Sequence, residues 1–386
     1  MAKEMARSVC QRFLEARFIE SADGRQARDF TLRGSVWQLT PKGIHLVDRF
    51  CNRNGIQLRQ ISDVCNSPRN TMQLVILERD LQTDDISQDR STVEVIFRRF
   101  IGTNGPNIKT NTPPEDDSVS EFKDGLIGVR MAAERKLGTP PRTVYQTFTG
   151  RATVDWLMDC TTVVGRTETC LMASLFVRYD LMWCVQSDRQ HIQMYPQDTT
   201  FQPTKNAYYQ ITPKGKLVLD NTTSRPAAPI ASTGIKALIS RDSNTQKLEK
   251  VLTDPALRLL FRENLRDTHC EENLSFYLDV DEFLRACQIS INLISPSLKK
   301  QLPETMTTIK ETMASAYGIY NAFLAPGSPC ELNIDHTLRN QLATRMTKAV
   351  SGEAAMIDSL RETTKLFEEA QISVFKLMAS VSYPVS

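Results

Sequence analysis

An excess of charge of either sign is missing from this sequence: 47 Lys and Arg stand against 45 Asp and Glu, a net charge of +2 over 386 residues. That balance removes the bulk electrostatic argument for nucleic acid, whose non-specific binding rests on clustered Lys and Arg. Also missing are a CxxC pair and any Cys/His cluster at zinc spacing. The nine cysteines lie far apart, and His45, His191, His269 and His336 are scattered. This pattern predicts no metal site and no cofactor, and reduced, mostly buried thiols of a cytosolic protein. No uncharged apolar run approaches the roughly 20 residues of a membrane span, and charges interrupt the first 20 residues every few positions, unlike a signal peptide. Membrane contact is therefore expected to be peripheral. There is no Gly-rich phosphate loop, no GxSxG and no HExxH, so no residue is assigned to catalysis.

What is present is a folding composition, 41% hydrophobic and 24% charged, long enough for two or three domains at roughly 100–200 residues each. The segment Gln38-Leu39-Thr40-Pro41-Lys42-Gly43 recurs as Gln210-Ile211-Thr212-Pro213-Lys214-Gly215. Each copy follows an aromatic strand-like segment and leads into a short apolar helix that reaches Asp48 or Asp220. Thr at a strand-to-helix junction caps the helix, and Pro tolerates its first position. Two copies of one small module are thus expected. The second is fuller, with helices over 152–159 and 168–179 and a strand-and-turn segment over 181–195 turning at Ser187–Gln190, a winged-helix-like pattern. The first has no equivalent of the 152–159 helix and reads as truncated. Between them, Met72–Leu77 and Val93–Phe97 read as strands around the acidic turn Thr83-Asp84-Asp85.

The stretches NTPPEDDSVS (111–120) and NTTSRPAAPIASTG (221–234) read as linkers. From about Asn244 the apolar period is purely helical: Leu257, Leu260, Phe261 and Leu265, then Phe276, Val280, Phe283, Leu284 and Cys287. It continues through Met306, Ile309, Met313, Tyr317, Tyr320 and Leu324 to Ile357, Leu360, Phe367, Val374 and Met378. The expected organisation is a first module at 1–53, an inter-module segment at 54–120, the second module at 121–221, a linker at 222–243 and an all-α bundle at 244–386.

The stretch Phe261–Phe283 carries seven acidic residues against two basic ones. Thr268 with Glu271 makes a capping box, which explains Glu271 without any function. On residues alone, Glu272 and Asn273 stay open between a solvated helix start and a binding pair. Asn321 stays open between a helix-end Asn and a functional one.

Thr268–Tyr277 (THCEENLSFY) resembles the EEN-x-x-F-[WY] signature of the regulator-of-G-protein-signalling (RGS) domain. Ile319–Leu324, Glu331–Asp335 and Phe367–Gln371 resemble its later landmarks, in order. Phe148–Leu157 (FTGRATVDWL) resembles the opening of a DEP domain, a winged-helix-like module. The resemblance implies a multidomain chain: two α+β winged-helix-like DEP modules, the first truncated, followed by an all-α RGS helical bundle. That order resembles fungal regulators that desensitise pheromone receptors or restrain growth signalling.

It further implies a GTPase-activating protein for the GTP-bound Gα subunit. Gα carries its own catalytic Arg and water-orienting Gln, so the partner works by gripping the switch segments in their transition-state arrangement. By position the resemblance assigns Gα contact to Glu271, Glu272, Asn273, Asn321 and Leu377. The family's acidic residue and Arg beyond Leu377 are replaced by Val381 and Val385, which keeps a second possibility open: an adaptor that binds Gα or a receptor tail without accelerating hydrolysis. For the DEP modules the family implies docking to a receptor tail or to inner-leaflet lipids, hence a cytoplasmic protein peripheral at the plasma membrane, with Arg178, Arg189, Lys205, Lys214 and Lys216 as a basic targeting set. DNA binding is disfavoured, because Thr167–Tyr179 holds one basic residue among Cys, Leu, Met and Phe.

Overall fold

The structure is a computed structural model of the chain. It describes residues 2–23, 27–31, 33–54, 56, 58–80, 83–110, 125–197, 200–220, 239–293, 302–328, 330–347 and 353–380. The two linker readings at 111–120 and 221–234, with Val381 and Val385, lie outside the described residues. Two compact units divide the chain: Met1–Val47 with Ser62–Ser232 and Pro255–Leu259, and Asp48–Ile61 with Thr233–Asp254 and Leu260–Ser386.

In the first unit, α1 (Ala2–Glu15) leads into β1 (Ile19–Ser21), which pairs antiparallel with β2 (Trp37–Leu39), Ile19 opposite Leu39. Helix α2 (Pro41–Arg53) follows, then α3 (Arg59–Cys65) and α4 (Arg90–Ile101). A five-stranded sheet runs in the order β3 (Asn107–Lys109), β4 (Arg130–Leu137), β5 (Arg142–Thr149), β7 (Tyr208–Ile211), β6 (Met182–Gln186). Helices α5 (Gly150–Cys160), α6 (Arg166–Arg178), α7 (Arg189–Met194) and α8 (Pro213–Asp220) complete it. Thr149 caps α5 by accepting from the Ala152 N–H at 3.0 Å.

The repeated hexapeptide builds the same junction twice. Thr40 Oγ1 accepts from the Gly43 N–H at 2.9 Å and donates to the Arg17 carbonyl at 2.7 Å. Thr212 Oγ1 accepts from the Gly215 N–H at 2.8 Å and donates back to the Asp180 carbonyl. Arg17 and Asp180 both hold φ of 59°, the left-handed turn that ends α1 and α6 and aims the chain into β1 and β6. At each copy the glycine lets the new helix lie against the strand entrance: a Cβ at Gly43 would stand 2.0 Å from the Phe18 carbonyl oxygen, and one at Gly215 2.2 Å from that of Leu181.

The lysines of the repeat diverge. Lys214 Nζ donates to the Tyr179 carbonyl at 2.7 Å within its own module. Lys42, 2% exposed, instead donates to the carbonyls of Met158 at 2.6 Å, in the last turn of α5, and of Val163 at 2.7 Å, just beyond it. Burial pushes its pKa down to about 7, against the pull of Asp159 and with help from Arg17. A neutral amine has two N–H groups, which two carbonyls satisfy. Because the folded value lies below the unfolded 10.5, the unfolded chain binds more protons between pH 7 and 10, so stability rises with pH across that window and levels off below it. Urea unfolding of the full chain at pH 7 and pH 9 should show that gain in wild type, and Lys42→Met should abolish it while lowering stability by about 1–3 kcal/mol through two orphaned carbonyls.

Two expectations for this unit are overturned. Val93–Phe97 is not a strand but the middle of α4, whose Val93, Val95, Ile96, Phe97, Phe100 and Ile101 are all buried. Its one partly exposed face, Arg90, Glu94 and Arg98, puts a single charge among Val93, Val95, Ile96 and Phe97, and that short β-branched run mimics a strand. Ser187–Gln190 does not turn one strand into the next: Asp188 Oδ1 accepts from the Gln190 N–H at 3.0 Å and caps α7, and the partner of β6 is β7. Met72–Leu77 is extended but enters no sheet, making only the isolated bridge Val75–Thr161. The hairpin β4–β5 escaped the sequence reading altogether. All nine cysteines are free, as expected, but only Cys51, Cys160 and Cys287 are buried. Among the described residues no helix is long and apolar enough to cross a membrane, and no group of His, Cys, Asp and Glu is placed to hold a metal ion.

The second unit holds α9 (Ile239–Thr253), α10 (Pro255–Asp267) from Leu260 onward, α11 (Glu271–Leu293), α12 (Leu302–Ile319), a π-helical turn (Tyr320–Leu324), α13 (His336–Thr347) and α14 (Glu353–Ser380). Its core joins Leu248, Leu265, Phe276, Val280, Phe283, Ile309, Phe323, Leu342, Leu360, Phe367, Val374 and Met378. In α10 the stripe is shifted from the expected one: Leu257 and Leu260 are exposed, and Leu259 and Phe261 are buried.

Candidate functional site

The site forms where the start of α11 meets the end of α12. Phe276 of α11 packs edge-on against Phe323 of the π-turn, with ring centres 5.6 Å apart. The π-turn itself buries Tyr320, Ala322, Phe323 and Leu324 and leaves Asn321 exposed. Its widened ring closes through the Ala325 N–H to the Tyr320 carbonyl at 2.8 Å. The following loop is tied back by the Cys330 N–H to the Ala322 carbonyl and the Leu332 N–H to the Phe323 carbonyl. Burial, then the nearby carboxylates of Glu272, Asp48 and Glu271, push the Cys330 thiol up to about 11. Cys330 thus marks the point at which the α11 entrance and the π-turn loop converge.

At that entrance the three residues of the Glu-Glu-Asn run have different environments. Glu271 is enclosed by cations: Arg266 at 3.2 Å, Arg262 at 3.5 Å and Arg49 at 3.5 Å. Burial raises its pKa, but the arginines outweigh that and hold it below the usual carboxylate range. Its charge is committed within the fold. Glu272, next along and half-buried, accepts only a long 3.4 Å contact from Asn273 Nδ2. Asn273 is 8% exposed; its Nδ2 donates to the Cys270 carbonyl at 3.3 Å, and its Oδ1 has no partner. A buried acceptor left without a donor costs about 1–3 kcal/mol, so a donor from outside is favoured there.

Leu377 is half-buried on α14. That helix meets α11 through Tyr277 and Phe375, ring centres 6.0 Å apart, and through Gln371 Nε2 donating to the Tyr277 carbonyl at 3.1 Å. The structure therefore brings Glu271, Glu272, Asn273 and Asn321 to one place and sets Leu377 on a neighbouring helix. The basic set is not gathered: Arg178 ends α6, Arg189 opens α7, Lys205 lies in the loop before β7, and Lys214 and Lys216 lie on α8. Lys214 is engaged with the Tyr179 carbonyl, and the other four are exposed.

The sequence reading missed four charged residues beside the site. Arg53 meets Asp279 at 3.2 Å and Glu282 at 3.1 Å, and Arg49 meets Glu271. The spacing of Arg49 and Arg53 by one helical turn was the available signal.

The regulator of G protein signaling domain matches residues 247–385, which contain the whole site. This chain carries an RGS domain. Ahead of its RGS domain, residues 128–211 match the DEP domain, and residues 1–67 match the fungal-differentiation regulator winged helix domain, so the DEP match falls on the second module and the first matches a different winged-helix family. The RGS chain is 54% identical to the developmental regulator flbA of Emericella nidulans over the whole of this chain and 52% of that protein. It is 27% identical to regulator of G-protein signaling 1 of Schizosaccharomyces pombe, over 98% of this chain and 73% of the relative. With human regulator of G-protein signaling 7 it shares 25% identity over 52% of the chain and 35% of the relative. The RGS chain thus spans about half the length of the developmental regulator. No solved structure matched it.

Proposed function

We propose that the chain accelerates GTP hydrolysis by a heterotrimeric Gα subunit, acting as a negative regulator of G-protein signalling with no catalytic chemistry of its own. The observation that carries this is an exposed Asn321, held out by a π-turn, together with the buried and partnerless Oδ1 of Asn273 at the α11 entrance. Together with Glu272 they offer amide and carboxylate groups suited to fixing the backbone and the water-orienting Gln of a switch segment. Such groups supply preferential binding of the transition state, and each tenfold of rate needs only about 1.4 kcal/mol of it. Glu271, its charge balanced by Arg49, Arg262 and Arg266, supports the site from within, and Leu377 extends the contact along α14. Docking of the DEP-bearing unit to anionic lipid or an acidic receptor tail at the plasma membrane would draw on Arg178, Arg189, Lys205 and Lys216, which are exposed but not gathered into one patch.

The test is single-turnover GTP hydrolysis by a fungal Gα with the full chain. Wild type should accelerate it, and Asn321→Ala with Glu272→Ala should lower that stimulation by about 10–100-fold, the loss expected for hydrogen bonds to charged groups, with far-UV circular dichroism unchanged. Undiminished stimulation by the double variant would remove the site assignment. Tight binding to Gα without any acceleration would instead make the chain an adaptor, the reading that Val381 and Val385 favour.

A further inference from the structure

The groove beside the proposed Gα contacts is already filled by the chain itself. Asp48–Ile61 belongs to the second unit, although the rest of its own module belongs to the first. Within that unit Arg49 reaches Glu271, the residue before Glu272, and Arg53 bridges Asp279 and Glu282 on the next turns of α11. Burial raises the pKa of Asp279, but Arg53 and Arg49 oppose that rise, so the carboxylate has its counter-charge in this segment. Phe50, Arg53 and Asn54 line a cavity of about 450 Å³ with Asp279, Glu282 and the α12 residues Ser315, Gly318 and Ile319. Ile319 directly precedes the π-turn that carries Asn321, and Asp48 contributes to the field at Cys330 together with Glu272. The segment is therefore a neighbour of both halves of the site.

A specific protein–protein interface takes roughly 800 Å² and 20–30 residues from each partner. One centred on Glu272, Asn273 and Asn321 that spreads along α11 as well as toward Leu377 meets, at Asp279 and Glu282, the ground that Asp48–Asn54 covers. Resting on the Gα reading above, the geometry points to segment Asp48–Asn54 as a built-in competitor that must leave the groove before Gα occupies it. Its hold is suited to release: Arg53 and Glu282 are each more than half exposed, and partly exposed ion pairs contribute little each. The groove discriminates by charge, taking an arginine-bearing helix end against the carboxylates of α11.

The experiment uses the full chain and a recombinant fungal Gα loaded with GDP and aluminium fluoride. Arg49→Glu with Arg53→Glu should bind that Gα about three- to tenfold more tightly than wild type, the size expected from three such ion pairs, and should stimulate hydrolysis more at sub-saturating concentration. In wild type, saturating Gα should speed amide hydrogen exchange at residues 48–56, which needs no variant to fold. If Gα binds, Asn321→Ala weakens the binding, and exchange at 48–56 is unchanged or slowed, the competitor is overturned and the Gα assignment stands, with the segment a bystander or part of the interface. If neither wild type nor the charge-reversed variant binds Gα, the Gα assignment itself fails and the competition falls with it.

Discussion

Phe100→Ala should lower the unfolding free energy of the DEP-bearing unit by about 3–5 kcal/mol, the range for emptying a fully enclosed phenylalanine site. Phe100 has no exposed surface, and its ring centre lies 5.4 Å from those of Phe148, Trp156 and Phe176. Those three rings come from β5, α5 and α6, so one side chain of α4 contacts three separate elements. Each edge-to-face pair adds about 0.5–1.5 kcal/mol beyond burial. Urea unfolding of the full chain, followed by tryptophan fluorescence, measures the loss, with Tyr145→Ala as control because Tyr145 is exposed. A change below about 1 kcal/mol for Phe100→Ala would remove α4 from the centre of this core.

The second large effect concerns the repeat. At an ordinary helical glycine, alanine is favoured by up to about 1 kcal/mol. At Gly43 and Gly215 the sign should reverse. A new Cβ would meet a backbone carbonyl oxygen at 2.0 Å or 2.2 Å, and backbone cannot swing aside as a flexible side chain can. Each alanine variant should lose about 2–3 kcal/mol, in line with overpacking elsewhere. Equal losses at both positions, read from the same unfolding curves, would show that the two copies share one junction geometry; a gain at either would show that its strand entrance yields.

The repeat was legible in the sequence because its chemistry is local: a Thr cap, a Pro and a Gly within six residues specify the junction without help from distant parts of the chain. The bundle's helices were legible for a similar reason, since Phe276, Val280, Phe283, Phe367, Val374 and Met378 keep a regular period and all face one core. Helix α4 was not, because Val93, Val95, Ile96 and Phe97 around the single charge of Glu94 read as a short β-branched strand, and its polar face is only the narrow line Arg90, Glu94 and Arg98. Strands β4 and β5 were hidden by the opposite condition: Arg130, Glu134, Arg135, Arg142 and Thr143 give them a half-exposed, charged character that reads as surface.

For the site, Glu272, Asn273 and Asn321 were found through motif resemblance, whereas local reading of residues left them undecided. The structure adds what a motif cannot carry, namely that the charge of Glu271 is balanced by three arginines of the fold whereas the buried Oδ1 of Asn273 has no donor. Arg49 and Arg53 were missed because their partners, Glu271, Asp279 and Glu282, lie more than 200 residues away in sequence, and no local pattern encodes an ion pair across that separation.

The π-turn at Tyr320–Leu324 has a consequence for how the exposed asparagine can be gained or lost in descent. Such a turn holds one residue more than the helical turn it replaces, so an insertion can create it where an exchange of side chains does not add the extra residue. Deleting one residue between Tyr320 and Leu324 would restore an ordinary helical turn with the flanking residues kept on their faces, and would take away the position that holds Asn321 out. Point substitution can change what residue 321 is; only a change in chain length can change where it points.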